Sequence, residues 1–466
     1  MRPEDKPREA CGVIGIYSPT EPAARLAYFG LHALQHRGQE AAGIAVGDGH
    51  QLRVHKDIGL VAQVFTDNDL QQLTGYTAIG HTRYTTSGTN TVADAQPLML
   101  DTKQGPLALA HNGNLTNTAA LRQMLTSQYP SKVLPTASDS SLMLFMLAEQ
   151  VAKTPQTDWA TCLQTVMPQW EGAYSLSLTS QATLMAVRDP WGFRPLHLGK
   201  LPQGYAIASE TGALQALGCT ALREVLPGEI IVIDKTGQRS IQGQKPVNPL
   251  ARCTFEHLYF SRPDTSWDGF NVHQVRQRLG KLLASEMKIA ADLVIPVPDS
   301  AVPAAIAFSQ ATGILYNEGF IKNRYMGRTF IQPTDSLRKQ GVALKFNTIP
   351  ENLRGKRVIM IDDSIVRGNT SGPLVQMLRK AGALEVHLGI TCPPIRHPCY
   401  MGIDMGTYKE LIAHTRDTKA MCRHFGCDSL HFLSIEAMMQ AFNHRTGYCN
   451  ACFTGQYPLR IPSSEL

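Results

Sequence analysis

The stretch that most limits what this chain can fold into is Val358-Ile359-Met360-Ile361-Asp362-Asp363-Ser364-Ile365-Val366-Arg367-Gly368-Asn369-Thr370-Ser371. Its apolar start leaves no room for helical alternation, so it reads as a strand buried on both faces. Two adjacent carboxylates follow where that strand ends, and then small polar residues that close a tight turn and cap a helix. Leu374, Met377 and Leu378 continue with helical spacing. A strand, a small polar turn and a helix N-terminus make a phosphate cradle, because free backbone N–H groups and the helix dipole both face the anion. Adjacent carboxylates repel each other unless a sugar, metal or cation occupies them. The P-loop consensus, Gly-x4-Gly-Lys followed by Ser or Thr, does not occur, so a nucleoside-triphosphate loop is the weaker reading.

The flanking sequence supports a βα pattern. Leu293–Pro298 is an apolar strand closed by prolines that delivers Asp299 and Ser300 to a loop, and Ala301–Thr312 reads as the next helix. Val272–Ala290 is helical by the spacing of Val275, Leu279, Leu282 and Leu283, while Phe255–Phe260 alternates as a strand. Ile314–Tyr316, Arg357–Ile361 and Glu385–Thr391 are further strands. Strands alternating with helices predict a mostly parallel, doubly wound α/β sheet with ligands at the carboxyl ends of its strands. Asp299, Ser300, Asp362 and Asp363 fall there. Lys322–Thr329 is basic and glycine-bearing and opens a long polar segment to about Leu353, of the kind that forms lids.

The chain has 466 residues, too many for one core, and Lys235–Pro249 is a Gly-, Gln- and Pro-containing connection between two domains. Before it lie short strands, near Cys11–Tyr17, Ile79–Tyr84, Leu107–Ala110, Tyr174–Leu178, Thr183–Val187, Gly204–Ala208 and Ile230–Ile233. Helices are expected over Ala23–Leu34, Asn117–Ser127 and Ser138–Val151, so this half reads as layered α+β. A net charge of +6 suits anionic small molecules, and there is no Lys/Arg run for nucleic acid. No apolar stretch is long enough to span a membrane. Residues 1–10 are charged and lack a signal-peptide core, so a cytoplasmic location and free thiols among the ten cysteines are expected. Cys449-Asn450-Ala451-Cys452 is a CxxC open to zinc, redox or iron–sulfur use. The thioredoxin reading is disfavoured because no strand precedes it and no helix clearly starts at it.

Three resemblances join these pieces. The Asp362–Ser371 stretch resembles the signature loop of the type I phosphoribosyltransferases, which bind phosphoribosyl pyrophosphate (PRPP). This implies that Asp362 and Asp363 hold the ribose hydroxyls. The 5′-phosphate would lie on the backbone of Ser364, Val366, Arg367 and Gly368 and on the Thr370 and Ser371 hydroxyls. Cys11-Gly12-Val13, Gln35-His36-Arg37-Gly38-Gln39-Glu40, Gly80-His81-Thr82-Arg83-Tyr84, His111-Asn112-Gly113-Asn114 and Ser138-Asp139 resemble, in order, the class II glutamine amidotransferases. That family has an N-terminal-nucleophile glutaminase fold. The implied roles are Cys11 as nucleophile, with Asn112 and the Gly113 N–H as oxyanion hole. Arg83 would clamp the glutamine carboxylate, Asp139 its ammonium, and Arg37 and Gly38 would lie beside the site. An α-amine can serve as base for its own thiol only if Cys11 is the first residue, so residues 1–10 are expected to be a propeptide.

Nearly the whole chain is similar to the bacterial amidophosphoribosyltransferases of the iron–sulfur, propeptide-processed type. That implies a glutaminase domain over 11–235 and a phosphoribosyltransferase domain over 250–466. Glutamine-derived ammonia would displace pyrophosphate from PRPP to give 5-phosphoribosylamine, opening de novo purine synthesis. Arg324, Arg328 and Lys345 match a loop that closes over PRPP. Ser300, Asp362 and Asp363 match magnesium-associated positions, with one Mg2+ per subunit. Cys253, Cys399, Cys449 and Cys452 match the ligands of one 4Fe–4S cluster, with structural zinc as the alternative. Cys162, Cys219, Cys392, Cys422 and Cys427 match no ligand and read as structural. The family implies a homotetramer inhibited by purine nucleotides. Gly372-Pro373, after the cradle, departs from the more polar residues of relatives and bears on inhibitor binding there. A PRPP-binding regulator would lack the N-terminal half, and an amidotransferase for another acceptor would lack the Asp362–Ser371 loop.

Overall fold

A computed structural model describes residues 11–84, 91–131, 138–323 and 345–461. The first half is a sandwich of two antiparallel sheets. One carries β1 (Gly12–Tyr17), β2 (Ala41–Gly47), β3 (Leu52–Ile58), β4 (Thr77–Arg83), β9 (His197–Leu201), β10 (Gly204–Ala208) and β11 (Thr220–Glu224) in the order β11-β9-β10-β1-β4-β2-β3. The other carries β5 (Leu98–Thr102), β6 (Gly105–Leu115), β7 (Gly172–Thr179), β8 (Leu184–Arg188), β12 (Glu229–Asp234) and β13 (Gly237–Gln242) in the order β13-β12-β8-β7-β6-β5. Alternation along each strand decides the layering. Val13, Ala45, Ile79, Ala108, Ala186 and Ile231 form the core between the sheets. Ile14 and Ile16 face helix α1 (Ala23–Ala33), and Leu107, Leu109 and Leu176 face helix α2 (Asp139–Lys153).

The second half holds a four-stranded parallel sheet of β15 (Leu293–Pro296), β16 (Arg357–Asp362), β17 (Glu385–Ile390) and β18 (Ser429–Phe432), in that order. Helices α3 (Val272–Glu286), α4 (Val302–Thr312), α5 (Ser371–Lys380) and α6 (Thr418–Phe425) surround it. As the continuous apolar run required, Val358–Ile361 is wholly buried. The tail returns to the head of this half, where β14 (Arg252–Cys253) pairs in parallel with β19 (Tyr448–Cys449).

Five local expectations are corrected. Phe255–Phe260 is not a strand: Glu256–Phe260 is a π-helix closed by Ser261 N donating to Glu256 O. Phe255, Leu258 and Phe260 then enter one core while Glu256 meets buried guanidinium groups and His257 stacks on Trp267, which an alternating strand could not do. Gly237–Gln242, read as linker, pairs along its whole length with β12, so the boundary drawn at 235 cuts off a sheet strand. Ile314–Tyr316 contributes one bridge, Val294 to Tyr316, rather than a strand. The strand expected over Leu107–Ala110 runs on through His111–Asn114 as β6, paired with β7 through Leu115. The CxxC has the two-residue β19 before it and the short helix Ala451–Thr454 at it, so the stated ground against a thioredoxin motif falls. β19 nevertheless pairs outside the central sheet.

Candidate active sites and the link between them

Cys11 stands at the mouth of the sandwich, just before β1, and its thiol donates to Tyr84 O at 3.6 Å. Gly12 sits opposite Thr82, where a Cβ would lie 2.7 Å from the Thr82 hydroxyl, so the nucleophile strand and β4 are in closest contact. Burial pushes the Cys11 thiol up; the Tyr84 contact and then Arg83, Arg194 and Arg37 pull it back. The sheets meet where His81 Nε2 lies 3.1 Å from His111 O. The next residue, Asn112, is completely buried, and neither its Oδ1 nor its Nδ2 has a partner among the described residues. A buried amide left unpaired at both ends is costly unless a ligand completes it. Gly113 has φ +153°, and a Cβ there would lie 2.0 Å from Ala173 O, so only glycine leaves this backbone free to face a ligand.

Asp139 is the first residue of α2, behind its cap Ser138, and accepts from Leu115 N at 3.0 Å and from Ser140 N at 2.6 Å. Burial alone would raise its pKa, but His111 and those N–H groups outweigh it and hold the carboxyl below the usual range. Arg83 closes β4, largely buried. Gly38 lets its turn lie on the Thr82–Arg83 backbone, 2.6 Å from where its Cβ would be.

Arg37 lies directly beside Cys11. Its Nε donates to Cys11 O at 3.2 Å, and its terminal nitrogens bind Glu210 at 2.6 Å and Glu256 at 3.0 and 2.7 Å. All three side chains are fully buried, so the guanidinium fixes the Cys11 backbone and ties it to the second half of the chain. Arg194 reinforces Glu256 at 3.3 Å, and His36 reinforces Glu210 at 2.8 Å. The same Glu210 accepts from Arg262 N and Thr265 Oγ1. For both acids burial works against the charge, and the surrounding cations prevail and keep them ionised.

The cradle lies at the end of β16. Asp362, Asp363, Ser364, Val366 and Ser371 are buried. Asp363 accepts from Ser300 Oγ at 2.5 Å and Ser364 Oγ at 2.6 Å, which brings the proposed magnesium positions into one cluster. Gly368, at φ +78°, lies against Ile412 and Phe425. The Arg367 side chain turns away to Glu410 at 2.9 Å and to Asp404, so only its backbone is on the cradle side. Thr370 and Ser371 open α5, with Pro373 in its first turn. Lys345 is placed beside Phe346, whereas Arg324 and Arg328 lie outside the described residues, as do residues 1–10.

Sequence reasoning missed Arg276. It donates to the carbonyls of His257, Tyr259 and Ser261, at the end of the π-helix. Burial lowers its pKa to about 10, opposed first by the charge of Asp363. A buried hydrogen-bonded path thus runs from Arg276 through the π-helix to Glu256, Arg37 and the Cys11 carbonyl. Glu210, Glu256 and Arg194 also escaped notice; acids and a base isolated in apolar runs were the available signal.

The four cysteines converge. Cys253 is the register partner of Cys449, and the Cys452 carbonyl accepts from Arg396 N and His397 N, beside Cys399. Burial pushes the Cys253 thiol up to about 12 and raises Cys399, Cys449 and Cys452; mutual proximity adds to the rise for Cys253, Cys449 and Cys452. Four thiols brought together are a donor set that fits a soft metal group, which would bind them as thiolates. Among the described residues no three His, Cys, Asp or Glu close on a single-ion site. The loop after Cys399 touches the glutaminase half: Asn114 Nδ2 donates to Tyr400 O at 3.0 Å, and a Gly402 Cβ would lie 2.7 Å from Gly113 C.

A family model described as a glutamine amidotransferase domain matches residues 81–216. The amidophosphoribosyltransferase of Synechococcus elongatus is 48% identical over 98% of this chain and 93% of its own length. This chain belongs to the amidophosphoribosyltransferase family. The amidophosphoribosyltransferase of Bacillus subtilis is 44% identical over 97% of this chain and 95% of its own. A solved structure of glutamine PRPP amidotransferase from B. subtilis, complexed with ADP and GMP, superposes with a TM-score of 0.89 at 44% identity, covering 97% of this chain and 98% of that one. A second, described as the allosteric regulatory enzyme of purine biosynthesis, gives 0.91 at 44% identity over 98% of both chains. Both halves, the N-terminal-nucleophile sandwich and the parallel transferase sheet, are therefore those of this family.

Proposed function

We propose that Cys11 hydrolyses glutamine and that the ammonia released displaces pyrophosphate from C1 of PRPP, giving 5-phosphoribosylamine in purine synthesis. The observation that carries this reading is that one chain holds both the Cys11 pocket and the Asp362–Ser371 cradle, joined by the buried Arg37–Glu256 pair. The Cys11 α-amine, freed by removal of residues 1–10, takes the thiol proton. The sulfur attacks the carboxamide carbon, and the oxyanion meets the Asn112 amide and the Gly113 N–H. Ammonia leaves, and water cleaves the thioester to glutamate. Arg83 and Asp139 hold the two ends of the amino acid.

In the cradle, Asp362 and Asp363 orient the ribose, and the backbone from Ser364 to Gly368 with Thr370 and Ser371 holds the 5′-phosphate. Mg2+ held near Ser300, Asp362 and Asp363 would neutralise the departing pyrophosphate. A 4Fe–4S cluster on Cys253, Cys399, Cys449 and Cys452 would staple the tail to the body. Ammonia protonates readily in water near neutral pH, which favours transfer inside the protein. A cytoplasmic homotetramer regulated by purine nucleotides completes the reading; among the described residues no helix is long and apolar enough to cross a membrane.

The test uses anaerobically purified protein, with intact mass measured first. The expected result is a chain beginning at Cys11 that releases glutamate and pyrophosphate in equal amounts from glutamine, PRPP and magnesium. Full activity in a chain retaining residues 1–10 would overturn the α-amine mechanism. Glutamate without pyrophosphate would overturn the acceptor.

A further inference from the structure

Two cysteines that match no cluster ligand face each other. Cys422, on the last turn of α6, and Cys427, just past its glycine cap, lie with their sulfurs 3.1 Å apart. Cys427 Sγ donates to Cys422 Sγ and lies 3.5 Å from Cys422 O, while Cys422 Sγ lies 3.1 Å from Cys427 O. The Gly426 and Cys427 amides both bond the same Cys422 carbonyl, so the cap already holds the pair together. Both residues are half-buried, within reach of a small reagent, unlike Cys162 and Cys392, which are buried. Between them sits Phe425, buried, whose ring lies 3.0 Å from where a Gly368 Cβ would be and 3.8 Å from a Gly372 Cβ. These glycines flank the phosphate cradle at the start of α5. Ile412, also against Gly368, donates its N–H to Val366 O at 3.0 Å.

We propose that Cys422 and Cys427 are a reversible dithiol–disulfide site whose state is transmitted through Phe425 to the cradle. The effect on PRPP rests on the function proposed above; formation of the bridge does not. The oxidant is a low-molecular-weight disulfide. The Cys422 thiolate attacks one of its sulfurs and expels one thiol. The Cys427 thiolate then attacks the Cys422 sulfur of the mixed disulfide and expels the second. Two protein S–H bonds and one reagent S–S bond are lost; one protein S–S bond and two reagent S–H bonds are made. A disulfide spans about 2.05 Å, so the sulfurs must close by about 1 Å. Close-packed interiors pass such shifts on rather than absorb them.

The test treats the processed protein with oxidised glutathione, with dithiothreitol reversal, beside a Cys422→Ser/Cys427→Ser variant. Peptide mapping without reduction should find Cys422 joined to Cys427, and hydrogen exchange of the amides over 364–374 should change. PRPP half-saturation should rise about fivefold, the low end of coupling between sites, with glutamate release in the absence of PRPP unchanged. The variant should show none of this. Absence of a 422–427 bridge would overturn the proposal, as would a bridge that leaves exchange over 364–374 unaltered, or the same changes in the variant. If even the reduced enzyme makes no pyrophosphate from PRPP, the functional reading fails, while mapping and exchange still decide this site.

Discussion

The Cys11 pocket and the Asp363 cradle solve the same problem, holding polar groups out of water, by different construction. The pocket takes Cys11, Arg37, Arg83, Asn112 and Asp139 from separate strands, a turn and a helix of the sandwich and locks them with contacts between residues far apart in sequence. The cradle takes Asp362 to Ser371 from one continuous strand, turn and helix start. One consequence is energetic: the pocket's order depends on buried ion pairs that reach the second half, whereas the cradle is one continuous segment steadied from outside by Ser300 and Ile412. Another concerns construction: the Cys11 backbone is held by Glu256 through Arg37, so the candidate site of the first half is not built independently of the second half.

The sharpest way to separate the two regions is Cys11→Ala. Glutamine-dependent pyrophosphate release should fall by several orders of magnitude, as when a nucleophile is removed, while ammonium chloride at alkaline pH still supports it. Loss of both would break the division of labour. Asn112→Ala comes next, with kcat for glutamate release expected to fall about 10²–10³-fold, the scale for one oxyanion donor, and KM for glutamine little changed. A change confined to KM would make Asn112 a binding residue. Glu256→Gln leaves Arg37 and Arg194 short of a buried counter-charge; unfolding in denaturant should show a loss of about 3–5 kcal/mol, and stimulation of glutamate release by PRPP should weaken. Full stability and full stimulation would remove the bridge between the regions from the account.

The smallest expected effect is on pH dependence. His81 in the pocket and His257 on the π-helix are held neutral by burial, with pKa values lowered to about 3 and about 4. Below an unfolded pKa of ~6.5 the unfolded chain binds protons that these rings do not, so stability falls as pH falls. Each should cost about 2 kcal/mol between pH 7 and pH 5, at 1.36 kcal/mol per unit. Melting of His81→Gln beside wild type checks it: the variant should lose less on acidification, and equal slopes would contradict the assignment.

The contrast in construction also decides what could be read from the sequence. The cradle was legible because its strand, carboxylates and helix start are contiguous, and the parallel sheet followed from the βα rhythm. The motif residues of the pocket were legible only as a resemblance, and the buried partners of Arg37, Glu210 and Glu256, were not seen because they are 173 and 219 residues away. β2, β3, β5, β9, β11 and β13 were missed: short, glycine-rich or polar strands carry little periodic signal, and pairing rather than propensity forms them. Asn112-Gly113 resembles a hairpin turn locally, yet β7 draws it into a strand. The π-helix at Glu256 has an alternating sequence because buried acid, histidine and aromatics each seek a different neighbour.

The most direct measurement of the central claim is glutamate release from glutamine with magnesium, with and without PRPP, on anaerobically purified protein confirmed to begin at Cys11. If the two regions are one coupled enzyme, release rises strongly with PRPP and is matched by pyrophosphate. Release that is indifferent to PRPP would contradict the coupling and leave the Arg37–Glu256 bridge a purely structural contact.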